Sequence, residues 1–350
     1  MKAAVWHGKN DMRIEDVPEP KAREGEVKVK VHYCGICGTD VHEYVAGPIF
    51  LPVEPHPLTG KKVPLILGHE FSGEVAEVGR GVEGIEVGDI VAPWPVLNCG
   101  KCYWCKRGEP VLCEISGGVG LMADGAFAEY IVVPAGSINK VPPGIPSDDA
   151  ALVEPLSVGL HALGKSGIKP GDNVVVVGAG TIGLSTMQAA RISGAKKVIV
   201  VEIIKARKKL AMQLGADMVV DPTEVNVGEE VYRATNGVGA DIAFECVGIQ
   251  GALNTTMDVT RRGGKAVIVG VFEKPAEINM MLAVFFEKQI IGSFGHNFEF
   301  PTVLSYLKDG RMQAKPLITA KIKLDDIVER GLKELIHHKE KHIKILVSPQ

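Results

Sequence analysis

NVVVVGAGTIG, residues 173–183, places a run of four valines directly before a glycine-rich turn. The valines have the length and composition of a buried strand, and residues 181–193 have the pattern of a helix that ends at Gly194. The glycines follow the spacing GxGxxG, in which Gly180 lets backbone amides approach a pyrophosphate and Gly183 lets the helix pack closely on the sheet. A strand, a turn and a helix in this order predict a dinucleotide-binding site.

Glu202 supplies the acidic side chain of this motif, at the end of the next predicted strand, residues 197–201. Its carboxylate can accept hydrogen bonds from the adenosine ribose hydroxyls and would repel a ribose phosphate, so it favours NAD over NADP. A glycine-rich turn without a ligand is the alternative. The basic run around Arg207 is typical of a solvated helix face, although Arg207 can also reach the adenosine end. The predicted coenzyme-binding residues are Gly178, Gly180, Thr181, Ile182, Gly183, Glu202 and Arg207.

Outward from the motif, strands and helices alternate, which predicts a parallel sheet with helices on both faces, a doubly wound α/β domain. The remaining predicted strands are 218–220, 241–246, 265–269 and 290–294, and the remaining helices are 205–214, 227–235 and 249–260. By contrast, residues 1–150 show short β-branched alternations, such as Val27, Val29 and Val31, separated by turn residues. We therefore predict a β-rich domain over residues 1–150 and a coenzyme-binding domain over 151–295. Residues 296–350 are expected to pack back on the first domain.

Composition excludes several classes of protein. Hydrophobic residues make up 46% of the chain, charged residues 23%, and the net charge is −3. These values argue against disorder and against a nucleic-acid-binding protein, which normally has a basic excess. The sequence shows neither a signal peptide nor an apolar stretch long enough to span a membrane, so no membrane partner is expected.

Four of the seven cysteines follow the pattern Cys99-x2-Cys102-x2-Cys105-x7-Cys113. Spacings this short let one loop wrap a tetrahedral ion, and we predict a structural zinc site. An iron–sulfur cluster is the alternative, because spacing alone does not identify the metal. Cys102–Cys105 and Cys34–Cys37 also resemble redox pairs, but neither pair is expected to precede a helix in a matching fold. Clustered metal-binding thiols indicate a reducing compartment, and we predict a cytoplasmic protein.

A thiolate, an imidazole and a carboxylate lie far apart in the sequence, at Cys37, His69 and Glu154. Singly, each has a structural explanation, because a lone cysteine is usually core and a lone histidine is usually only hydrogen-bonded. Together they can hold one ion with an open coordination position. Their occurrence beside a four-cysteine cluster and a dinucleotide motif favours this catalytic interpretation.

The chain resembles the zinc-dependent medium-chain dehydrogenase/reductase family nearly from end to end. The motifs that carry the resemblance, in family order, are CGICGTDVH (34–42), GHEFSG (68–73), NCGKCYWCKRGEPVLC (98–113), DGAFAEY (124–130), EPLSV (154–158) and VVVVGAGTIG (174–183). The extended segment HEYVAGPIFLPVEPHPLTG (42–60) is similar to the 2,3-butanediol dehydrogenase branch. Sorbitol and threonine dehydrogenases share the motifs but are shorter in this region.

The resemblance implies a GroES-like catalytic domain followed by a Rossmann domain. It makes Cys37 and His69 ligands of a catalytic zinc, with Glu154 or Glu70 as the third ligand, and it leaves open an exchange between these two carboxylates. It also implies a proton relay through Thr39 and His42.

Hydride would pass from an alcohol carbon to NAD, with 2,3-butanediol and acetoin as the expected substrate pair and sorbitol or L-threonine as alternatives. From other classes, a zinc-independent quinone or enone reductase would lack these ligands, and a zinc-stabilised NAD-binding protein would lack turnover. Family habit implies a dimer or tetramer, with strand pairing near residues 280–300.

Overall fold

The structure is a computed structural model that describes residues 1–350. Its strands are β1 Lys2–Gly8, β2 Asp11–Asp16, β3 Glu26–Gly35, β4 Leu65–Ile66, β5 Glu70–Val78, β6 Ile90–Val91, β7 Val96–Leu97, β8 Gly117–Gly118, β9 Tyr130–Pro134, β10 Asn173–Val177, β11 Lys197–Val201, β12 Met218–Val220, β13 Ala240–Glu245, β14 Thr260–Ile268, β15 Gln289–Gly292, β16 Ile318–Lys323 and β17 Lys344–Ser348.

The α-helices are α1 Gly38–Ala46, α2 Tyr103–Lys106, α3 Ser147–Ala150, α4 Val153–Ser166, α5 Thr181–Ile192, α6 Lys205–Gln213, α7 Val227–Ala234, α8 Gln250–Val259, α9 Met280–Phe285, α10 Phe300–Lys308 and α11 Lys333–His337. A π-helix, Ile327–Leu332, leads into α11. No helix combines the length and the apolar character needed to cross a membrane.

The chain divides into two compact units. The first contains Met1–Glu154, Phe300–Asp309 and Ala314–Gln350, and the second contains Pro155–Glu299 and Gly310–Gln313. The chain passes to the second unit after Glu154 and leaves it after Glu299, and only residues 310–313 return to it. The proline cluster VPPGIP, residues 141–146, lies ahead of α3 and before the first of these changes.

The second unit is built on a six-stranded parallel sheet in the order β12-β11-β10-β13-β14-β15. In chain order this is 3-2-1-4-5-6, the doubly wound arrangement in which ligands bind at the carboxyl ends of the strands where the order reverses. Strands β10, β11 and β12 have the bounds predicted from the sequence. The valines of β10 are almost wholly buried, which explains why the strand is a continuous apolar run.

The first unit is organised around β3, which pairs antiparallel with β5, β9 and β17. Val27, Val29 and Val31 alternate into its core and are fully buried, as the period of two predicts. Strand β17 joins the end of β3 and also pairs with β16. The C-terminal segment therefore packs on the N-terminal sheet, directly beside the residues that lead into Cys37.

Candidate metal and coenzyme sites

The sulfur atoms of Cys99, Cys102, Cys105 and Cys113 all lie within 4.8 Å of one another. The Cys99–Cys105 and Cys102–Cys105 sulfur distances are 4.0 and 3.5 Å. Four sulfurs at about 2.3 Å from a tetrahedral zinc ion would be about 3.8 Å apart, between these two values. The cluster therefore fits a zinc ion, and the thiols are not paired as disulfides.

Backbone amides prepare this cluster for a cation. The Cys102 amide donates to the sulfur of Cys99, and the Cys99 amide donates to that of Cys113. Hydrogen bonds from the amides of Cys105 and Glu114 lower the pKa of Cys102 to about 6. For Cys105, burial and the neighbouring thiols raise the pKa to about 12. The amide hydrogen bonds therefore favour the ionised sulfur of Cys102, the form that binds a metal ion.

Each CxxC pair does precede a helix, but not in the fold of a redox pair. Cys37 lies directly before α1, and Cys102 lies directly before α2. Both helices are short and start among antiparallel strands, not after a strand of the parallel sheet. The local pattern of a redox pair is therefore present without the βαβ surroundings of a thioredoxin-like fold.

The second cluster consists of Cys37, His69 and Glu70, whose potential ligand atoms also lie within 4.8 Å of one another. The start of α1 positions Cys37, and the start of β5 positions Glu70 next to His69. His69 and Glu70 are buried, and Cys37 is half-buried. A sulfur, an imidazole and a carboxylate at these separations form a donor set that suits zinc.

Negative charge surrounds His69. Burial by itself lowers the pKa of His69, but the charges of Cys37 and Asp40, with a contribution from Glu154, raise that pKa well above its usual range. The buried Nδ1 atom of His69 has no hydrogen-bond partner. An imidazole in so negative an environment fits a site that is completed by a cation.

Asp40 is a functional candidate that the sequence reasoning missed. It is fully buried, its Oδ2 accepts the Cys37 amide at 2.8 Å, and its Oδ1 lies 3.9 Å from Nδ1 of His69. A carboxylate behind a metal-binding histidine is a common outer-shell arrangement. The signal that could have found it is the acidic side chain three residues after the helix-capping Cys37, the spacing of a capping box.

Lys344 was missed as well, and no local sequence pattern marks it. Its ammonium donates to Glu70 Oε1 at 2.7 Å and to the Ile36 carbonyl at 2.9 Å. The same nitrogen is 2.6 Å from Glu70 Oε2, so the lysine contacts both carboxylate oxygens.

The other residues predicted for this site occupy three positions around it. Thr39 Oγ1 lies 3.6 Å from the Cys37 sulfur, and His42 follows one turn later on α1. Both side chains are half-buried. Glu154 lies in the first turn of α4 and is close enough to influence the pKa of His69 and that of Lys344. Glu154 is not among the residues whose ligand atoms lie within 4.8 Å of one another, which are Cys37, His69 and Glu70.

The glycine turn of the second unit has the geometry that its sequence predicts. Gly178 has a φ of 97°, in the left-handed region that favours glycine, and a side chain at Gly183 would overlap the Gly178 carbonyl. Gly180 immediately precedes α5, with Thr181 and Ile182 in its first turn. A Cβ atom built on Gly180 would meet nothing closer than Nη1 of Arg207, 4.0 Å away. The turn is therefore open enough to admit a phosphate at the helix N-terminus.

Glu202 has a structural role that the sequence did not reveal. Its Oε2 accepts the amide of Ala179, and its Oε1 accepts the amides of Ile203 and Ile204, at 2.8 to 2.9 Å. The carboxylate thus joins the glycine turn to the loop that follows β11. Because each carboxylate oxygen can accept more than one hydrogen bond, this arrangement is compatible with contacts to a ribose.

Comparison with known proteins places this geometry in a family. Residues 23–143 match the alcohol dehydrogenase GroES-like domain, and residues 181–309 match the zinc-binding dehydrogenase domain. The chain is 43% identical to (R,R)-butanediol dehydrogenase of Bacillus subtilis, with all of both chains covered. It is 35% identical to sorbitol dehydrogenase of the same species, with 100% of this chain and 97% of that protein covered.

The fold comparison agrees. The crystal structure of 2R,3R-butanediol dehydrogenase from B. subtilis superimposes with a TM-score of 0.93 and 42% identity, covering 100% of this chain and 99% of that one. The predicted fold class, a GroES-like domain with a Rossmann domain, is thereby confirmed. So is the resemblance noted from the motifs: this chain belongs to the zinc-binding alcohol dehydrogenase family of oxidoreductases.

Proposed function

We propose that this chain is an NAD-dependent zinc dehydrogenase that interconverts a vicinal diol and a hydroxyketone, with 2,3-butanediol and acetoin as its preferred pair. The observation that carries the proposal is the cluster of Cys37, His69 and Glu70 in a chain of this family. We assign the first unit as the catalytic domain and the second as the coenzyme-binding domain.

The metal-binding residues divide between two zinc sites per chain. Cys99, Cys102, Cys105 and Cys113 would hold a structural ion, and Cys37, His69 and a carboxylate would hold a catalytic one. Glu70 is favoured as the carboxylate because its oxygen lies in the cluster. Glu154, whose charge contributes to the raised pKa of His69, is the candidate for an exchange with Glu70. When bound, zinc supplies Lewis-acid stabilisation of the negative charge that develops on the substrate oxygen.

The proton released by the alcohol needs a path to solvent, and α1 offers one. The Thr39 hydroxyl can accept a proton from the substrate hydroxyl while donating its own onward. His42, one turn later, has an imidazole that can take up and release a proton at a half-exposed position. The two residues are spaced three apart, so they share one face of the helix.

The second unit supplies the coenzyme end of the reaction. The glycine turn and the N-terminus of α5 would bind the pyrophosphate, and Glu202 would hold the adenosine ribose and select NAD over NADP. Arg207 lies beside Gly180, where it can contact the adenosine end of the coenzyme. Bound NAD would supply the hydride acceptor, and the residues of the second unit would only have to orient its nicotinamide.

The diol preference follows from a second oxygen on the substrate. A vicinal hydroxyl or carbonyl can contact Glu70 or the metal while its neighbour reacts, which a simple alcohol cannot do. The similarity to (R,R)-butanediol dehydrogenase favours the R configuration at the reacting carbon. Sorbitol and L-threonine are the competing substrates.

A substrate panel with NAD and NADP, run with and without a strong chelator, tests the activity. We expect 2,3-butanediol with NAD to give the highest kcat/KM, and we expect chelation to abolish turnover. Preference for sorbitol, threonine or NADP would contradict the corresponding part of the proposal. Zinc analysis should give two ions per chain, whereas a zinc-stabilised NAD-binding protein without turnover should contain one.

Cys37→Ser isolates the catalytic metal. We expect it to lose turnover and one zinc ion while NAD still binds, because the coenzyme turn lies in the other unit. Cys34→Ala is the matched control, since Cys34 is buried three residues away and lies outside the metal cluster. Turnover retained by Cys37→Ser would remove this metal site from the reaction.

We also propose that the protein acts as a cytoplasmic homo-oligomer on small molecules, without nucleic-acid or membrane partners. Strand β15 is the edge of the parallel sheet, and the neighbouring helix α9 exposes Met280, Met281, Val284 and Phe285. An unpaired sheet edge beside an exposed apolar helix suits pairing with a second copy of the chain. The reducing cytoplasm suits clustered metal-binding thiols.

A further inference from the structure

A buried lysine in the last strand contacts both segments that carry the proposed catalytic ligands. Lys344 is 3% exposed, and its nitrogen contacts the Ile36 carbonyl and both oxygens of Glu70. Two of the three ammonium donors are used by the Ile36 carbonyl and Glu70 Oε1, while Glu70 Oε2, 2.6 Å away, makes an ion-pair contact without a hydrogen bond. Lys344 therefore joins the residue before Cys37 to the residue after His69.

The backbone at Gly35 makes room for this ion pair. Gly35 pairs with Glu70 across β3 and β5, and a Cβ atom on Gly35 would overlap Glu70 Oε2 and lie 3.2 Å from Cδ of Lys344. The carboxylate can occupy its position only because residue 35 has no side chain. The pair and the glycine thus form one packing arrangement.

The arrangement acts on orientation as well as on charge. A buried carboxylate that loses its partner is left without a counter-charge, and removing one partner of such a pair is strongly unfavourable. The hydrogen bond to Oε1 and the ion-pair contact with Oε2 fix the rotation of the Glu70 carboxylate, one oxygen of which lies within 4.8 Å of the ligand atoms of Cys37 and His69. Outer-shell partners that orient metal ligands in this way commonly set the affinity of the site.

We infer that Lys344 is a positioning residue that holds Glu70, and with it the Ile36–Cys37 segment, in the geometry that binds the catalytic metal. The inference rests on the metal site of the proposed function and adds a residue from the far end of the chain. It implies that the affinity for the catalytic metal depends on Lys344, while the four-cysteine site does not.

The test measures zinc affinity at each site by competition with a chelator, together with the visible spectrum of protein whose catalytic site is loaded with cobalt. We expect Lys344→Met to weaken the catalytic site by about 10- to 100-fold and to change the cobalt spectrum, while the four-cysteine zinc is retained. Lys344→Arg should retain most of the wild-type affinity of the catalytic site for zinc. Lys288→Met is the control, because Lys288 is also a buried lysine, bound to the Met257 carbonyl, but lies in the second unit.

A double-mutant cycle shows whether Lys344 acts through Glu70. If it does, Lys344→Met combined with Glu70→Gln should bind zinc no more weakly than Glu70→Gln alone. Additive losses, or an unchanged affinity in Lys344→Met, would overturn the inference.

If Lys344→Met fails to fold, Gly35→Ala displaces the same carboxylate. Gly136→Ala serves as its control, because a Cβ atom there meets nothing within 4 Å. Catalytic-site affinity that Gly35→Ala leaves unchanged would also overturn the inference. Wild-type protein with a single zinc ion would instead reject the proposed catalytic site itself.

Discussion

Replacing Glu202 by alanine separates two roles of one carboxylate. Glu202 accepts three backbone amides that join the glycine turn to the loop after β11. It is also the residue proposed to hold the adenosine ribose and to exclude a ribose phosphate. Glu202→Ala should therefore lower the free energy of unfolding of the coenzyme-free protein as well as the affinity for NAD.

The structural part of this loss can be worked out from the three amides. Ala179 is fully buried, so its N–H would be left without an acceptor, at a cost of about 1–3 kcal/mol. Ile203 is exposed and Ile204 half-buried, so water can replace the carboxylate there at little cost. We expect a total of about 2 kcal/mol, and less for Glu202→Gln, whose amide oxygen can still accept.

Urea unfolding without coenzyme measures the first loss, and calorimetric titration with NAD and NADP measures the second. NAD affinity should fall by about tenfold, the equivalent of roughly 1.4 kcal/mol for the lost ribose contacts, and the preference over NADP should narrow. Glu224→Ala is the control, because Glu224 is an exposed acid of the same unit. If the free energy of unfolding of Glu202→Ala lies within about 0.5 kcal/mol of the wild-type value, the structural argument is refuted. An unchanged preference for NAD over NADP would refute the ribose assignment.

Three further results are expected. Cys105→Ser should lower the zinc content by one ion per chain and leave NAD binding intact; unchanged metal analysis would contradict the four-cysteine site. Asp241→Asn should cost about 1–2 kcal/mol of unfolding free energy at pH 7, because Asp241 accepts the Asn173 amide and Arg261 Nε, each at 2.7 Å. Burial raises the pKa of Asp241, but the hydrogen bonds from Asn173 and Arg261 outweigh it and hold that pKa below 3.8. The stabilisation is therefore lost as the pH falls below that value, and a stability difference between Asp241→Asn and wild type that persists in acid would contradict this. Val284→Glu should shift sedimentation toward the monomer, and an unchanged oligomer would exclude α9 from the interface.

The parallel sheet could be predicted closely because its signals are local. Strands buried on both faces are continuous apolar runs, so β10 and β11 were found at their observed bounds. Strand β14 begins at Thr260, well before the predicted residue 265. The register of its pairing with β13 shifts between Thr260 and Lys265. A segment that contains such an irregularity does not show the apolar pattern of a regular strand.

The two metal sites differ in the same way in how well they could be predicted from the sequence. The four-cysteine cluster comes from one loop, so spacing alone predicts it. Cys37 and His69 come from different elements, so no local spacing connects them. Their donor types beside the other motifs suggested that they act together, and the family resemblance supported this. Lys344 is 274 residues from Glu70, and no sequence periodicity connects a single lysine in a C-terminal strand with a carboxylate in β5.

The position of Lys344 also bears on how the proposed catalytic site forms. Ile36 donates its amide to the Ile345 carbonyl, and the Lys344 side chain closes on the Ile36 carbonyl from the same strand. Both contacts require β17 to be paired with β3, a pairing between opposite ends of the chain. Closing so long a loop is costly in chain entropy and occurs late when local structure forms first. The donor set of Cys37, His69 and Glu70 would then reach its binding geometry only after the first unit has been completed. Zinc should accordingly fill the four-cysteine loop before it fills the catalytic site.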